Sequence, residues 1–253
     1  MKAKKDLRGN MINIGKQRAL GIANREYEDL IYQISLSEDN KMTLLETAST
    51  LSGTIPPNVR TKDVLLVENL KKAYEYALYK VENDDFYFDK DTLNMINRLS
   101  SSQDNFDNLG DFRKGNIRVL GTQDYSPLDS SELNFHFVQL QEKYLENENK
   151  DMAIINLFLD LCKAQFYGDG NKRTAQIMMI GLLIKEGYSP FTINFRDPKY
   201  SKPLISFYDS EKNRDKIINL LLKRQEEVLY HYLNNEERKK YKINITKDQG
   251  KQR

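Results

Sequence analysis

Cysteine is nearly absent from this sequence, since Cys162 is the single one among 253 residues. One cysteine cannot build an internal disulfide framework or a cysteine-rich metal site, so both classes of protein are excluded. Because Cys162 lies in an apolar stretch, a buried structural thiol is favoured over a catalytic one.

The sequence also has little excess of charge of either sign and no long hydrophobic run. The chain has 39 basic and 37 acidic residues, a net charge of +2, which gives no reason to expect a nucleic-acid partner. The longest apolar run, from Ile177 to Ile184, is far shorter than the roughly 20 residues of a membrane span, so no membrane association is expected. The charged N-terminal stretch MKAKKDLRGN does not resemble a secretory signal, and we expect a cytoplasmic protein.

Apolar residues spaced three and four apart recur along the chain, whereas strand-like alternation is scarce. This pattern predicts a mostly α-helical protein. Amphipathic stripes lie at 27–34 and 66–77, and another helix is predicted after Ser130. Residues 151–164 and 174–186 are apolar on more than one face, which predicts two buried helices.

The segment at about 110–127 differs from the rest. Ile117 and Val119 alternate with Asn116 and Arg118, and glycines and Pro127 bound the stretch. A short β-hairpin is therefore predicted here.

We expect three parts along the chain. Residues 1–60 form an N-terminal helical region that packs on the core, and residues 61–233 form that core. Residues 234–253 are polar and dense in charge, which predicts a fraying helix or a disordered tail.

The short loop FYGDGN joins the two buried helices and carries the most chemistry. Gly168 and Gly170 allow positive φ and a close approach of the backbone to a ligand. Asp169 or Asn171 could cap the second helix, whose N-terminal amides and dipole attract anions. A plain capped turn is the structural alternative.

Two basic residues follow this loop. Lys172 and Arg173 add charge-assisted donors that suit a nucleotide di- or triphosphate, and Asp169 could hold Mg²⁺ together with phosphate oxygens. The site is not a Walker A loop, because the fifth residue after Gly168 is Arg173 and the required spacing fails.

The stretch from Gln165 to Arg173 resembles the motif H-x-F-x-[DE]-G-N-[GK]-R of the Fic/Doc (Fido) family. It matches from Asp169 through Arg173, and Tyr167 replaces the family's Phe conservatively. The hairpin segment is similar to the family's flap in five positions, which are Gly110, Phe112, Arg113, Val119 and Gly121. The resemblance covers about residues 45–225.

This resemblance implies a Fido-type helical bundle with a short β-hairpin flap. It implies AMP transfer from ATP to a hydroxyl side chain of a target protein, with Asp169 as the Mg²⁺ ligand. The nucleotide-binding residues would be Gly168, Gly170, Asn171, Lys172 and Arg173. Ile117, Arg118 and Val119 of the flap would bind the target segment as an added strand. Doc-like members with Lys at the position of Lys172 phosphorylate their target instead, so the transferred group stays open.

The sequence departs from the family at its general base, because Gln165 occupies the catalytic position of the motif His. A carboxamide can orient a hydroxyl but cannot take its proton near neutral pH. The expected loss is roughly 10²–10⁴-fold in rate. The alternatives are a slow or unusual enzyme, an inactive protein that binds nucleotide and a partner, and an antitoxin-like or structural protein.

A second departure concerns regulation. Many relatives carry an inhibitory [ST]-x-x-x-E-[GN] pattern whose Glu pairs with a second Arg, three residues after the motif Arg. The best match here is the segment with Ser49, Ser52 and Gly53, in which Ser52 stands at the Glu position, and Gln176 replaces the second Arg. We expect this segment to pack over the nucleotide pocket without a charge-based brake, or to be merely a helix end.

Overall fold

A computed structural model of the chain describes residues 11–101 and 109–241. This part contains eleven α-helices. They are α1 (Lys16–Arg25), α2 (Tyr27–Leu36), α3 (Leu44–Leu51), α4 (Thr61–Glu82), α5 (Lys90–Ser100), α6 (Leu133–Glu146), α7 (Lys150–Ala164), α8 (Asn171–Lys185), α9 (Pro198–Asp209), α10 (Arg214–Tyr230) and α11 (Asn235–Tyr241). The mostly α-helical class predicted from the sequence is therefore confirmed. None of the helices in this part has the length and apolarity needed to cross a membrane.

Helix α8 lies at the centre of the molecule. Every residue from Arg173 to Ile184 is buried, because α1, α4, α5 and α7 pack around this helix. Gly181 permits an especially close contact, since a Cβ atom there would lie 2.3 Å from Cζ of Phe86. The Phe86 ring therefore rests directly on the backbone in the C-terminal half of α8, as dense core packing allows.

Side-chain caps fix where two neighbouring helices begin. At α3, Thr43 Oγ1 accepts a hydrogen bond from the Glu46 amide (3.2 Å), and Glu46 Oε2 accepts one from the Thr43 amide (2.7 Å). At α5, Asp89 Oδ1 accepts from the Thr92 amide at 2.7 Å. Helix α5 packs against both α4 and α8.

The β-hairpin predicted at about 110–127 is not formed. The segment is extended and turn-like and contains no assigned strand. Within the described residues, the isolated β-bridge lies elsewhere, between Asn13 and Tyr188. We keep the name flap for residues 110–127, defined by their position and not by a strand ladder.

Arg113 provides the physical reason for the missing ladder. Its guanidinium donates to the Gly115 carbonyl (2.8 Å) and to the Leu128 carbonyl (2.5 Å). Its Nε also donates to the carbonyl of Gln165 at 2.7 Å, and the side chain is buried. One side chain of the flap thus contacts Gly115 within it, Leu128 directly after it and the end of α7, where a hairpin would use backbone amides.

The region predicted as a polar tail begins with α11. Arg18 of α1 contacts this helix by donating to Glu237 Oε1 (2.5 Å) and to the carbonyl of Tyr232 (2.6 Å). The rest of the predicted tail, residues 242–253, and the first ten residues of the predicted N-terminal region lie outside the described part. The predicted boundaries between the three parts, at residues 60 and 233, stay a prediction.

Candidate functional site

The loop 165–170 turns the chain from the C-terminal end of α7 into the N-terminal end of α8. Gln165 ends α7 in the left-handed conformation, with φ of 52°, and Gly170 precedes α8 with φ of 76°. Glycine adopts this conformation freely, whereas a glutamine needs support from its surroundings. Both residues are buried and so are surrounded by other parts of the protein.

Gln165 uses its side chain within the loop. Its Nε2 donates to the carbonyl of Cys162 at 2.6 Å, and its Oε1 accepts from Nδ2 of Asn171 at 3.3 Å. The residue is 8% exposed. The carboxamide therefore ties the end of α7 to the start of α8, in a position where the sequence predicted a group that faces a substrate.

Asn171 closes the loop from the other side. Its Oδ1 accepts from the Tyr167 amide at 2.9 Å, and its Nδ2 donates to the Tyr167 carbonyl at 2.7 Å. The prediction that Asp169 or Asn171 caps α8 is wrong, because Gly170 occupies the N-cap position and no side chain makes a cap hydrogen bond. The first turn of α8 thus keeps the amides and the positive dipole end that attract an anion.

Arg173 lies beneath the loop and is 2% exposed. Its Nη1 donates to the Ser100 carbonyl at 2.6 Å, and its Nη2 donates to Asp169 Oδ2 at 2.5 Å. Its Nε lies 3.6 Å from Oε1 of Glu38 and is a buried donor with no hydrogen-bond partner in the part of the chain that the structure describes. Two carboxylates therefore share the guanidinium that the motif would offer to phosphates.

Asp169, the predicted magnesium ligand, is partly exposed at the cavity and pairs with Arg173. Its side chain is 30% exposed, and it lines the cavity described below, while the Arg173 contact uses Oδ2. Within residues 11–101 and 109–241, no group of three or more His, Cys, Asp or Glu side chains could hold a metal ion. A single carboxylate together with nucleotide phosphate oxygens is a usual arrangement for Mg²⁺.

A cavity of about 250 Å³ lies between the flap and the loop. The flap contributes Arg113, Lys114 and Ile117, and the loop contributes Gly168 and Asp169. Asn97 of α5 lines a further wall. The structure thus brings the predicted loop glycine, the predicted metal ligand and one predicted flap residue to one concave surface.

Other predicted residues do not line this cavity. Arg118 is exposed, and Val119 packs partly against the core. The ammonium of Lys172 lies 5.3 Å from the centroid of the Phe195 ring. Gly170 and Asn171 hold the loop as described above.

The predicted regulatory segment lies at the C-terminal end of α3. Ser52 Oγ donates to the Ser49 carbonyl at 2.7 Å, and Gly53 has a positive φ of 90°. These contacts are those of a helix end. None of the three residues belongs to the described lining of the cavity.

The sequence did not predict the role of Glu38. This residue follows α2, and its carboxylate contacts Arg173. Glu38 does not fit the inhibitory pattern, because Ile34 stands four residues before it and Asp39 follows it. The signal that could have found it is the polar run Ser-Glu-Asp-Asn at 37–40, directly after an apolar helix. Ser37 Oγ accepts from the Phe195 amide at 3.0 Å, which holds this turn in place.

Cys162 and His136 are two titratable residues that contact the loop 165–170. Burial raises the pKa of the Cys162 thiol to about 12, which agrees with a structural thiol. His136 is half-buried on α6, and its ring stacks on Phe166 with 6.0 Å between centroids. Burial lowers the pKa of His136, and its partner is an aromatic ring of the core. His231 caps the C-terminal end of α10.

The sequence and the fold are similar to those of known Fic proteins. "Protein adenylyltransferase Fic" from Aedes aegypti is 29% identical over 183 residues, which cover 69% of this chain and 36% of that protein. The chain thus spans about a third of the length of this curated relative. No protein-family model matches the sequence.

Two solved structures share the architecture. A Fic domain containing signaling protein from Bacteroides thetaiotaomicron superposes with a TM-score of 0.70 at 17% identity, over 85% of this chain and 91% of that chain. Fic-1 from C. elegans superposes with a TM-score of 0.69 at 16% identity, over 84% of this chain and 65% of that chain. The predicted resemblance to the Fic/Doc (Fido) family is therefore confirmed, and the chain adopts the Fido fold.

Proposed function

We propose that the chain binds ATP and Mg²⁺ at residues 165–173 and slowly transfers AMP to a hydroxyl group of a target protein. The observation that carries this proposal is the N-terminal end of α8, which has no side-chain cap and stands next to Asp169 and Arg173. Uncapped amides and a helix dipole favour a phosphate chain, and among the described residues the Nε of Arg173 is a donor that makes no hydrogen bond. The mosquito relative's name, a protein adenylyltransferase, supports AMP as the transferred group.

The metal ligand of this proposal is Asp169. Its carboxylate lines the cavity, and a single carboxylate with nucleotide phosphates is a usual magnesium arrangement. The cation would neutralise charge on the phosphate oxygens. Arg173 then holds Asp169 through Nη2 and keeps its carboxylate oriented.

The target would bind along the flap. Among the described residues, the backbone amides of 116–118 donate to no backbone carbonyl, so an extended segment could pair with them. Ile117 faces the cavity, while Arg118 is exposed for side-chain contacts. The bound hydroxyl would attack the α-phosphorus of ATP. The bond from this phosphorus to the oxygen that bridges to the β-phosphate would break, and pyrophosphate would leave.

The reaction would be slow because Gln165 cannot accept the hydroxyl proton, which must pass to solvent or to a phosphate oxygen. Loss of general-base catalysis accounts for roughly 10²–10⁴-fold in rate. Positioning and charge neutralisation dominate phosphoryl and nucleotidyl transfer, and they do not depend on this group.

Labelled ATP tests this function. The protein would be incubated with cell lysate, Mg²⁺ and ATP that carries the label in the α- or the γ-phosphate, with Arg173→Ala as the matched control. Label from α-labelled ATP alone is expected on a lysate protein, and it should be absent with Arg173→Ala. Label from γ-labelled ATP alone would indicate phosphoryl transfer instead, as in Doc-like members.

A second candidate function is nucleotide binding without transfer. The hydrogen bonds of Gln165 to Cys162 and Asn171 favour it, because they commit the carboxamide to the loop. This function predicts ATP binding by calorimetry and no protein label with either form of ATP. If calorimetry detects no binding of ATP with Mg²⁺, both candidates fail.

A further inference from the structure

One face of α5 contacts both the loop and the flap. Asn94 and Asn97 lie about one turn apart on this face, and Ser101 follows directly after the helix. Asn94 Oδ1 accepts from the Tyr167 hydroxyl of the loop at 2.8 Å. A polar face on a helix that lies against the core thus has partners in two separate segments of the chain.

Asn97 makes the central contacts of this face. Its Nδ2 donates to the Asp169 carbonyl at 2.9 Å and to Thr174 Oγ1 at 3.1 Å. Its Oδ1 accepts from the amide of Gly110, at the start of the flap, at 3.1 Å. The residue is 1% exposed, so water cannot replace these bonds.

The flap and the loop 165–170 both approach the end of α5 closely. A Cβ atom at Gly110 would lie 2.8 Å from the Asn94 carbonyl oxygen. A Cβ atom at Gly170 would lie 2.4 Å from Oγ of Ser101. Both glycines also have positive φ, so substitution at either position would displace its segment from α5.

We propose that Asn97 is a positioning residue that couples the flap to the loop 165–173. The two donors of its carboxamide hold the loop and the start of α8, and its single oxygen holds the flap. A rigid planar group cannot move with one segment and keep its bonds to the other. Displacement of the flap should therefore change the loop, and with it the nucleotide affinity that rests on the proposed function.

Two readouts test this coupling. Amide hydrogen exchange, measured by NMR, follows Gly110 in the flap and Tyr167 in the loop, whose amide donates to Asn171. Calorimetry measures the affinity for a non-hydrolysable ATP analogue with Mg²⁺. The variants are Asn97→Ala, Asn97→Asp and Gly110→Ala.

The two substitutions at position 97 should differ in a defined way. Asn97→Ala should speed exchange at Gly110 and weaken analogue binding, each by about tenfold, because it removes both donors and the acceptor. Asn97→Asp keeps an acceptor for the Gly110 amide but loses both donors. Exchange at Gly110 should then stay within about twofold of the wild type while affinity falls as in Asn97→Ala. A general loss of stability would not separate the two readouts.

Gly110→Ala tests the coupling from the flap. It leaves Asn97 and the loop unchanged in sequence, yet exchange at Tyr167 should accelerate and affinity should fall. Asn69→Ala is the matched control, because Asn69 of α4 donates to the carbonyl of Ser101, directly after α5 (3.1 Å), and this contact lies outside both the flap and the loop. This control should leave both readouts within about twofold.

The proposal is overturned if Asn97→Ala leaves exchange at Gly110 unchanged, or if Asn69→Ala changes both readouts as much. Circular dichroism would reveal a variant that fails to fold. If Asn97→Ala does not fold, the Gly110→Ala variant tests the coupling. Unchanged amide exchange at Tyr167 in that variant would overturn the proposal. If the wild type does not bind the analogue, the proposed function fails, while the exchange comparison still tests the coupling.

Discussion

At the scale of single residues, Gln165 and Glu38 both change the groups that a phosphate or a hydroxyl would contact at the candidate site. Gln165 lies where the family's base lies and bonds to the loop through both ends of its carboxamide. Glu38 places a carboxylate against the motif arginine. The sequence revealed the first residue through its motif position. It could not reveal the second, because a contact between positions 38 and 173 depends on how α2 packs.

Gln165→His should restore a general base. If the chain transfers AMP, the labelling rate should rise by at least tenfold, because an imidazole takes a proton near neutral pH. Gln165→Ala is the control, since it frees the same space without adding a base. Equal rates for the two variants, measured with α-labelled ATP, would contradict a role for this position in proton transfer.

Glu38→Gln should tighten nucleotide binding. Under the proposed function its carboxylate would compete with phosphates for Arg173, and a partly exposed ion pair is worth about a two- to fivefold change in affinity. Calorimetry with ATP and Mg²⁺ measures the effect. Glu28→Gln, on the exposed surface of α2, changes the net charge equally and should have no effect. Weaker binding by Glu38→Gln would show that Glu38 supports the site.

At the scale of elements, helix periodicity predicted the buried pair α7 and α8 well. Their apolar residues face neighbours on all sides, and the structure ends α7 at Ala164, as the sequence predicted. The flap was predicted less well. Its alternating residues suggested a ladder, but the decisive group is the buried guanidinium of Arg113, whose three carbonyl partners are set by tertiary structure.

Arg113→Ala should loosen the flap and destabilise the protein by about 2–4 kcal/mol, because buried carbonyls lose charge-assisted partners. Urea denaturation gives the free energy of unfolding. Arg118→Lys is the matched control, since Arg118 is exposed on the same segment and its replacement should leave this free energy unchanged. A change below about 0.5 kcal/mol for Arg113→Ala would contradict the bridging role of this side chain.

At the scale of the whole molecule, the fold depends on what surrounds α8. Composition and periodicity predicted a helical core, and the loop motif identified the family resemblance. Neither predicted that the Phe86 ring lies on the α8 backbone at Gly181, because such a contact joins distant parts of the chain and leaves no periodic trace.

Gly181→Ala should therefore destabilise the whole protein by about 1–3 kcal/mol through overpacking. Gly21→Ala is the matched control, since Gly21 also lies within a helix but a Cβ there meets no atom within 4 Å. This control should be neutral or stabilising by about 0.5–1 kcal/mol. Thermal and urea unfolding would compare the two, and the cost at Gly181 should shrink in a Phe86→Leu background. Equal stability of both alanine variants would refute close packing at Phe86.

The burial of Cys162 also makes the molecule convenient for spectroscopy. The thiol is fully buried, its pKa is raised to about 12, and the sequence contains no other cysteine. Maleimide dyes should therefore not react with the folded wild-type protein. Leu120→Cys, at a flap position that is 91% exposed, would accept a single fluorophore without removing any native thiol. The flap can thus be followed in real time as a candidate target peptide arrives.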